Sequence, residues 1–260
     1  MASSDGIGAM TPCKNCETPL ADGFRFCPQC GQKNVELERP LPDLIGAAAR
    51  EVFDVDGRAV RTFWTLLRRP GVLTSEFIAG RRRLYMSPVR LYLLISVLFF
   101  VLAAWVAGKG VLLSEGQTLE ADAEGQARLF ADYVPLLMFV LLPAFALLLK
   151  IAFRQQLYFH HLIHALHLHS LAYIVLALML PLEEAATRPG AAMVIQLLLF
   201  VYLLASFFLS IRRVYAVGRL AASGKALGIL IGYMMLVAGS FEAASHFMMP
   251  DTAGLPFLTD

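Results

Sequence analysis

The sequence predicts an all-α integral membrane protein, a five-helix transmembrane bundle preceded by a small cysteine module and amphipathic juxtamembrane helices. Three observations predict it. Of 260 residues, 58% are hydrophobic and only 16% charged, with a mean hydropathy of +0.63. Soluble domains carry roughly 25% charged residues, so this chain is built for lipid. All four cysteines fall in the first 30 residues. From Leu91 onward the chain is a series of apolar stretches of spanning length. A disordered chain, a disulfide-rich secreted scaffold and a nucleic-acid-binding domain all fit this composition poorly.

Three regions follow: 1–40, a metal ribbon and linker; 41–90, amphipathic helices; 91–260, the transmembrane domain. In the first, Cys13-Lys14-Asn15-Cys16 and Cys27-Pro28-Gln29-Cys30 form two Cys-x-x-Cys knuckles ten residues apart. Each knuckle turns two thiolates toward one ion, and a facing pair completes a tetrahedral site. Gly31 permits the tight turn after Cys30. So short a module cannot build a core, and metal binding would supply its folding energy. Structural zinc on Cys13, Cys16, Cys27 and Cys30 is the leading assignment, with rubredoxin-like iron and paired disulfides as alternatives. With no open coordination position the site is not catalytic, and docking a partner is its default use.

Between Val52 and Arg90, Phe53, Val60, Phe63, Trp64, Leu66 and Leu67 alternate with Arg58, Arg61, Arg68 and Arg69. Pro70-Gly71 breaks a first helix, and Thr74 or Ser75 is expected to cap a second ending near Gly80. Arg81, Arg82, Arg83 and Arg90 follow. Arg68, Arg69, Arg81, Arg82 and Arg83 are candidate lipid-binding residues that would hold these helices flat on an anionic cytoplasmic leaflet. The alternative is a topogenic signal with no further role.

Five spans are expected: Leu91–Gly108, Tyr133–Phe153, Leu157–Leu182, Ala191–Ile211 and Ala226–Phe247. Only Arg154, Gln155 and Gln156 separate the second from the third, and a single 50-residue helix would overrun a ~30 Å hydrocarbon core, so a tight turn belongs there. Pro143 is expected to kink the second span. Thirteen of 22 Lys and Arg lie at or before Arg90. With Lys150, Arg154, Arg212, Arg213, Arg219 and Lys225 on the same side, the positive-inside bias predicts a cytoplasmic N-terminus and a periplasmic C-terminus. No signal-peptide pattern precedes the first span.

Five of six histidines fall between His160 and His169 in the third span. At 100° per residue, His160, His164 and His167 share one face, His161 flanks it and His169 points away. Such a stripe can ligate a metal, hold a haem, relay protons, or hydrogen-bond between helices. Candidate intramembrane ligands are therefore His160, His164 and His167, with His161 and Glu242 weaker; a second metal or haem is the cofactor implied. Glu242 pairs with His246 at i, i+4 toward the far end of the fifth span. The eight-histidine set of membrane di-iron enzymes is absent, as are a P-loop, a Ser-His-Asp set and a dinucleotide fingerprint. Gly224, Gly228 and Gly232 form a small-residue stripe suited to close helix contact, within the bundle or in a homo-oligomer.

The order of parts resembles the uncharacterised bacterial domain-of-unknown-function family 3667. The likeness lies in the ribbon ending Cys30-Gly31-Gln32, in Thr65–Gly71 followed by Phe77-Ile78-Ala79-Gly80-Arg81-Arg82, in the Tyr85–Tyr92 entry to the membrane and in His161–His169. It implies an inner-membrane protein with a cytosolic zinc ribbon and brings no activity with it. The expected function is a membrane-anchored binding or regulatory module whose ribbon recruits a cytosolic protein. The alternatives are a membrane metalloprotein, whether enzyme or redox carrier, and a transporter using the histidine stripe. No nucleic-acid partner is expected.

Overall fold

A computed structural model of the chain describes residues 11–21, 23–34, 58–108, 134–185 and 189–248. The boundary expected at 40/41, residues 109–133 and 186–188, and residues 249–260 lie outside the described residues. Among those described, two short strands, β1 (Thr11–Pro12) and β2 (Pro19–Leu20), pair antiparallel with Thr11 opposite Leu20. Seven helices follow: α1 (Arg58–Arg68), α2 (Val72–Ile78), α3 (Pro88–Gly108), α4 (Val134–Ala152), α5 (Tyr158–Ala185), α6 (Pro189–Tyr215) and α7 (Arg219–Met248).

The last five helices are long and apolar enough to cross a membrane, so the five-span expectation holds. Their ends differ from the sequence boundaries where charge was read as a stop. The fourth helix continues through Arg212 and Arg213 to Tyr215, and the fifth begins at Arg219 rather than Ala226. Basic residues at a membrane edge need only reach water with their heads, so a helix need not end there. The turn around Arg154–Gln156 is present, closed by the Lys150 ammonium donating to the carbonyls of Arg154 and Gln156. Helix α4 runs on through Pro143.

Helix α5 is the centre of the bundle, packed against α3, α4, α6 and both short helices. A helix that meets protein on several sides and is apolar where it does not has no polar face to show, which is why its apolar residues follow no single stripe. Around it Tyr173 stacks on Phe99 at 4.9 Å, and Phe145 meets Tyr233 edge-on at 4.8 Å. By contrast only 11% and 17% of the residues in the most apolar stretch of α6 and α7 are buried within the protein. The glycine stripe has little use inside this bundle. A Cβ at Gly232 would meet Leu148 at 3.5 Å, but one at Gly224 or Gly228 would find nothing outside its own helix turn within 4 Å.

The juxtamembrane helices do not lie flat as two separate pieces. They form a hairpin, α1 descending and α2 returning, docked onto the ends of α5 and α6. Pro70 cannot extend α1, and Gly71 reverses the chain with φ +79°. Gly71 itself is the N-cap of α2, so the expected caps are displaced: Thr74 and Ser75 sit one turn inside the helix, and Ser75 donates to the Gly71 carbonyl. Carbonyls left over at the helix ends are taken by other elements, since a helix terminus has no internal partners for them. The Tyr202 hydroxyl donates to Leu67 O at 2.6 Å and the Arg213 guanidinium donates to Pro70 O. Thr62 donates to Arg58 O at 2.7 Å and accepts the Met86 amide at 2.8 Å, tying α1 to the start of α3.

Gly71 therefore has two reasons to be glycine. A Cβ there would stand 3.0 Å from Ser210 Cα, in a left-handed backbone region that other residues enter at a cost. Gly71→Ala should destabilise the folded chain by about 1–3 kcal/mol. Gly228→Ala, in open space, should leave it unchanged. Thermal unfolding of the two variants in one detergent measures the difference.

Candidate functional site: a cysteine quartet clamped to the membrane bundle

The two knuckles are built alike. Glu17 N donates to Cys13 O and Gly31 N donates to Cys27 O, each at 2.8 Å, and the residue after each second cysteine turns left-handed, Glu17 at φ 62° and Gly31 at φ 68°. The glycine expected at the second turn is there; the first manages the same turn with a glutamate, which spacing alone did not reveal. The four sulfurs lie within 4.8 Å of one another, with Cys13 to Cys30 at 3.7 Å and Cys16 to Cys27 at 3.6 Å. A tetrahedron with metal–sulfur bonds of ~2.3 Å has edges of about 3.8 Å. Disulfide sulfurs would stand ~2.05 Å apart, and all four cysteines are free. Among the described residues this is the one group of three or more His, Cys, Asp or Glu able to share a metal ion.

Charge at the site is already biased toward thiolate. The Thr18 hydroxyl, 3.2 Å from Cys16 Sγ, lowers that thiol from 9.0 to about 6, helped by the Thr18 backbone. Burial pushes Cys30 the other way, to about 11. A metal ion is held by thiolates, so its binding is coupled to proton release.

The quartet is not tethered loosely. Gln32 grips the chain after α2 with both ends of its amide, Nε2 donating to Gly80 O at 2.8 Å and Oε1 accepting from Arg82 N at 3.1 Å. Arg83 Nε donates to Cys30 O at 2.9 Å, and the Lys14 side chain lies against Gly80. The arginines expected to meet lipid divide accordingly. Arg81 pairs with Glu76 at 2.6 Å, holding that carboxyl below its usual range. Arg82 lies 4.6 Å over the Phe77 ring, where burial lowers the affinity of its guanidinium for its proton. Arg68 stacks 4.3 Å over Trp64, and Arg69 is exposed near the hairpin turn.

The histidines meet hydroxyls rather than one another. His161 and His164 turn their Nδ1 atoms to Tyr215 Oη at 2.9 and 3.1 Å, and His164 Nε2 lies 2.5 Å from Ser210 Oγ. His167 Nδ1 lies 2.9 Å from Thr74 Oγ1, across the hairpin interface. His169 points to the other side as expected, between Tyr233 Oη at 2.8 Å and Ala165 O at 2.9 Å. His161, His164, His167 and His169 are all buried, while His160 is half-buried. One phenolic proton cannot serve two imidazoles, so Tyr215 donates to one ring and accepts from the other. Glu242 is exposed on α7, and the His246 side chain lies outside the described residues. Sequence reasoning missed Tyr215 because the span was ended at Ile211, and missed Thr74 because it was assigned to a cap.

Residues 56–100 match the family model described as a protein of unknown function (DUF3667), so the family resemblance holds over this segment. No curated protein and no solved structure matches the chain.

Two outcomes test this geometry. Thr18→Val should raise the Cys16 thiol toward 9.0 and weaken Zn(II) binding about tenfold at pH 7, the deficit closing above pH 9 where thiolate no longer has to be stabilised. Competition titration with a chromophoric chelator across pH reads it. Thr74→Val strands the His167 ring nitrogen and should cost about 1–3 kcal/mol, while Ser223→Ala, exposed and bonded only within its helix, should cost nothing measurable. Thermal unfolding in detergent compares them.

Proposed function

We propose that this protein is a membrane-anchored binding module whose zinc-loaded ribbon presents a fixed surface to a cytosolic protein. The observation that carries the proposal is the asymmetry of the ribbon. One edge is clamped to Gly80, Arg82 and Arg83, while Phe24 and Phe26 stand 48% and 55% exposed beside Arg25 and Lys33. Exposed aromatics on so small a module cost solubility unless something covers them, and aromatic and arginine residues are those that anchor interfaces. Four thiolates leave zinc no open position, so the metal folds the ribbon and does no chemistry. Zinc suits the site because a tetrahedral all-thiolate set is its commonest structural environment.

The five spans serve as anchor and platform. The clustering of Lys150, Arg212, Arg213, Arg219 and Lys225 with the ribbon end of the bundle favours a cytoplasmic ribbon in a bacterial inner membrane. The histidines add stability by pairing with hydroxyls in a medium where unpaired polar groups are costly.

Two measurements on the detergent-purified full chain bear on this. Elemental analysis should find one zinc per chain, lost in Cys13→Ser/Cys16→Ser and kept in His164→Ala/His167→Ala. A second metal or a haem lost only in the histidine variant would replace the binding reading with a metalloprotein. A photo-crosslinking amino acid at Phe26, irradiated in cells, should give one discrete protein adduct that disappears with the cysteine variant. No adduct, or one indifferent to the cysteines, would sink recruitment by the ribbon.

A further inference from the structure

The outer face of α1 is a surface that the proposed function leaves unused. Its inner face is accounted for: Thr62 and Leu66 are buried, and Thr62 accepts the Met86 amide just before the first span begins. Near its end, Leu67 O receives the Tyr202 hydroxyl from within the fourth span. Beyond these fixed points the turn that follows α1 meets Ser210 and Arg213, near the end of the fourth span. On the other side of α1, Val60, Phe63 and Trp64 are 64%, 40% and 49% exposed, at the i, i+3, i+4 spacing of one helix face. Arg61, Trp64 and Arg68 form the adjoining row at i, i+3 and i+7, and α1 contains no acidic residue. The Arg68 guanidinium carbon lies 4.3 Å over the indole ring, and Arg68 remains exposed.

We propose that this face binds the headgroup of an anionic phospholipid, with Arg61 and Arg68 on the phosphate and Trp64, Phe63 and Val60 in the glycerol and upper acyl region. Charge complementarity selects this occupant. A second copy meeting the same face about a two-fold axis would bring arginine against arginine. A zwitterionic lipid offers the phosphate but cancels it with its own cation. A stacked, pre-oriented guanidinium suits a phosphate because its planar fork donates two parallel N–H groups. Tryptophan at the water–hydrocarbon boundary matches its preference for one apolar and one wet edge. The inference stands apart from the ribbon's partner, since it uses no ribbon residue.

The chain contains two tryptophans, so Trp105→Phe leaves Trp64 as its sole fluorophore. The full-length variant is reconstituted in nanodiscs containing either brominated phosphatidylglycerol or brominated phosphatidylcholine at the same low mole fraction. The anionic lipid should quench Trp64 more strongly, reflecting roughly fivefold local enrichment per arginine. In Arg61→Gln/Arg68→Gln the preference should vanish while both lipids still quench and the ribbon keeps its metal. Equal quenching of the parent by the two lipids, or a preference that survives the double substitution, overturns the proposal. Quenching by neither lipid shows that protein covers the face and also overturns it. A preference erased by millimolar inorganic phosphate at constant ionic strength assigns the site to free phosphate rather than to lipid.

Discussion

The constraint on which the rest of this structure depends is that a polar group removed from water must find its partner inside the protein. In a bundle set in lipid the cost of failing is high, because no solvent is at hand to satisfy a stray carbonyl or imidazole. The exceptions among the described residues are a few atoms such as His161 Nε2 and the Tyr173 hydroxyl. The hairpin shows it most clearly. The turn leaves carbonyls without helical partners, and two of them are answered from α6: Leu67 by Tyr202 and Pro70 by Arg213. The same rule governs α5, whose four buried histidines would each be a liability alone. Tyr215, Ser210, Thr74 and Tyr233 turn them into cross-links. The polar groups are therefore also what sets the register of one helix against the next.

Much of the fold was legible in the sequence because its strongest signals are local. The span count follows from runs of apolar residues, the tight turn from Arg154-Gln155-Gln156, and the metal quartet from two knuckles at fixed spacing. What escaped was everything decided by a distant partner. Helical geometry puts His160, His164 and His167 on one face, and in the fold His164 meets Ser210, His167 meets Thr74 and His169 meets Tyr233. Yet helical geometry says only where a side chain points, not what stands opposite. Thr74 carries the clearest lesson. Its residue type and its place after Pro70-Gly71 suit a cap, but Gly71 already starts the helix and Thr74 is drawn to His167. Likewise Arg212 and Arg213 look like a membrane boundary, although the helix passes through them to deliver Tyr215 to two imidazoles.

The arginines illustrate how one residue type divides between tasks that sequence cannot separate. From Arg58 to Arg83 they read as one basic belt. In the fold, Arg81 is paired with Glu76, Arg82 stacks on Phe77 and Arg83 caps the second knuckle through Cys30 O. These three join the ribbon to the hairpin. Arg61 and Arg68 sit on the outward face of α1, away from the ribbon contacts, and retain the exposure that a lipid headgroup requires. A count of positive charge would treat all of them alike; only their contacts distinguish arginines tied to the ribbon and hairpin from those left exposed.

The segment that matches the family, residues 56–100, is short, but its position explains why it would be the shared part. It contains the hairpin and the first part of α3, and it touches the ribbon, α4, α5 and α6. Gly80, Arg82 and Arg83 hold the ribbon; Thr74 reaches α5; Leu67 and Pro70 are held by α6; Thr62 fixes the start of α3. A ribbon hung on a flexible tether would sample many orientations and present no fixed face, whereas this one inherits its orientation from the bundle. Gln32 is the tightest link in that inheritance, because one planar amide contacts both sides of the Gly80–Arg82 turn and cannot rotate without losing one of them. Loss of the metal would loosen the loop that carries Gln32 and so free the ribbon from its anchor, which makes metal content and ribbon orientation two readings of the same folding event.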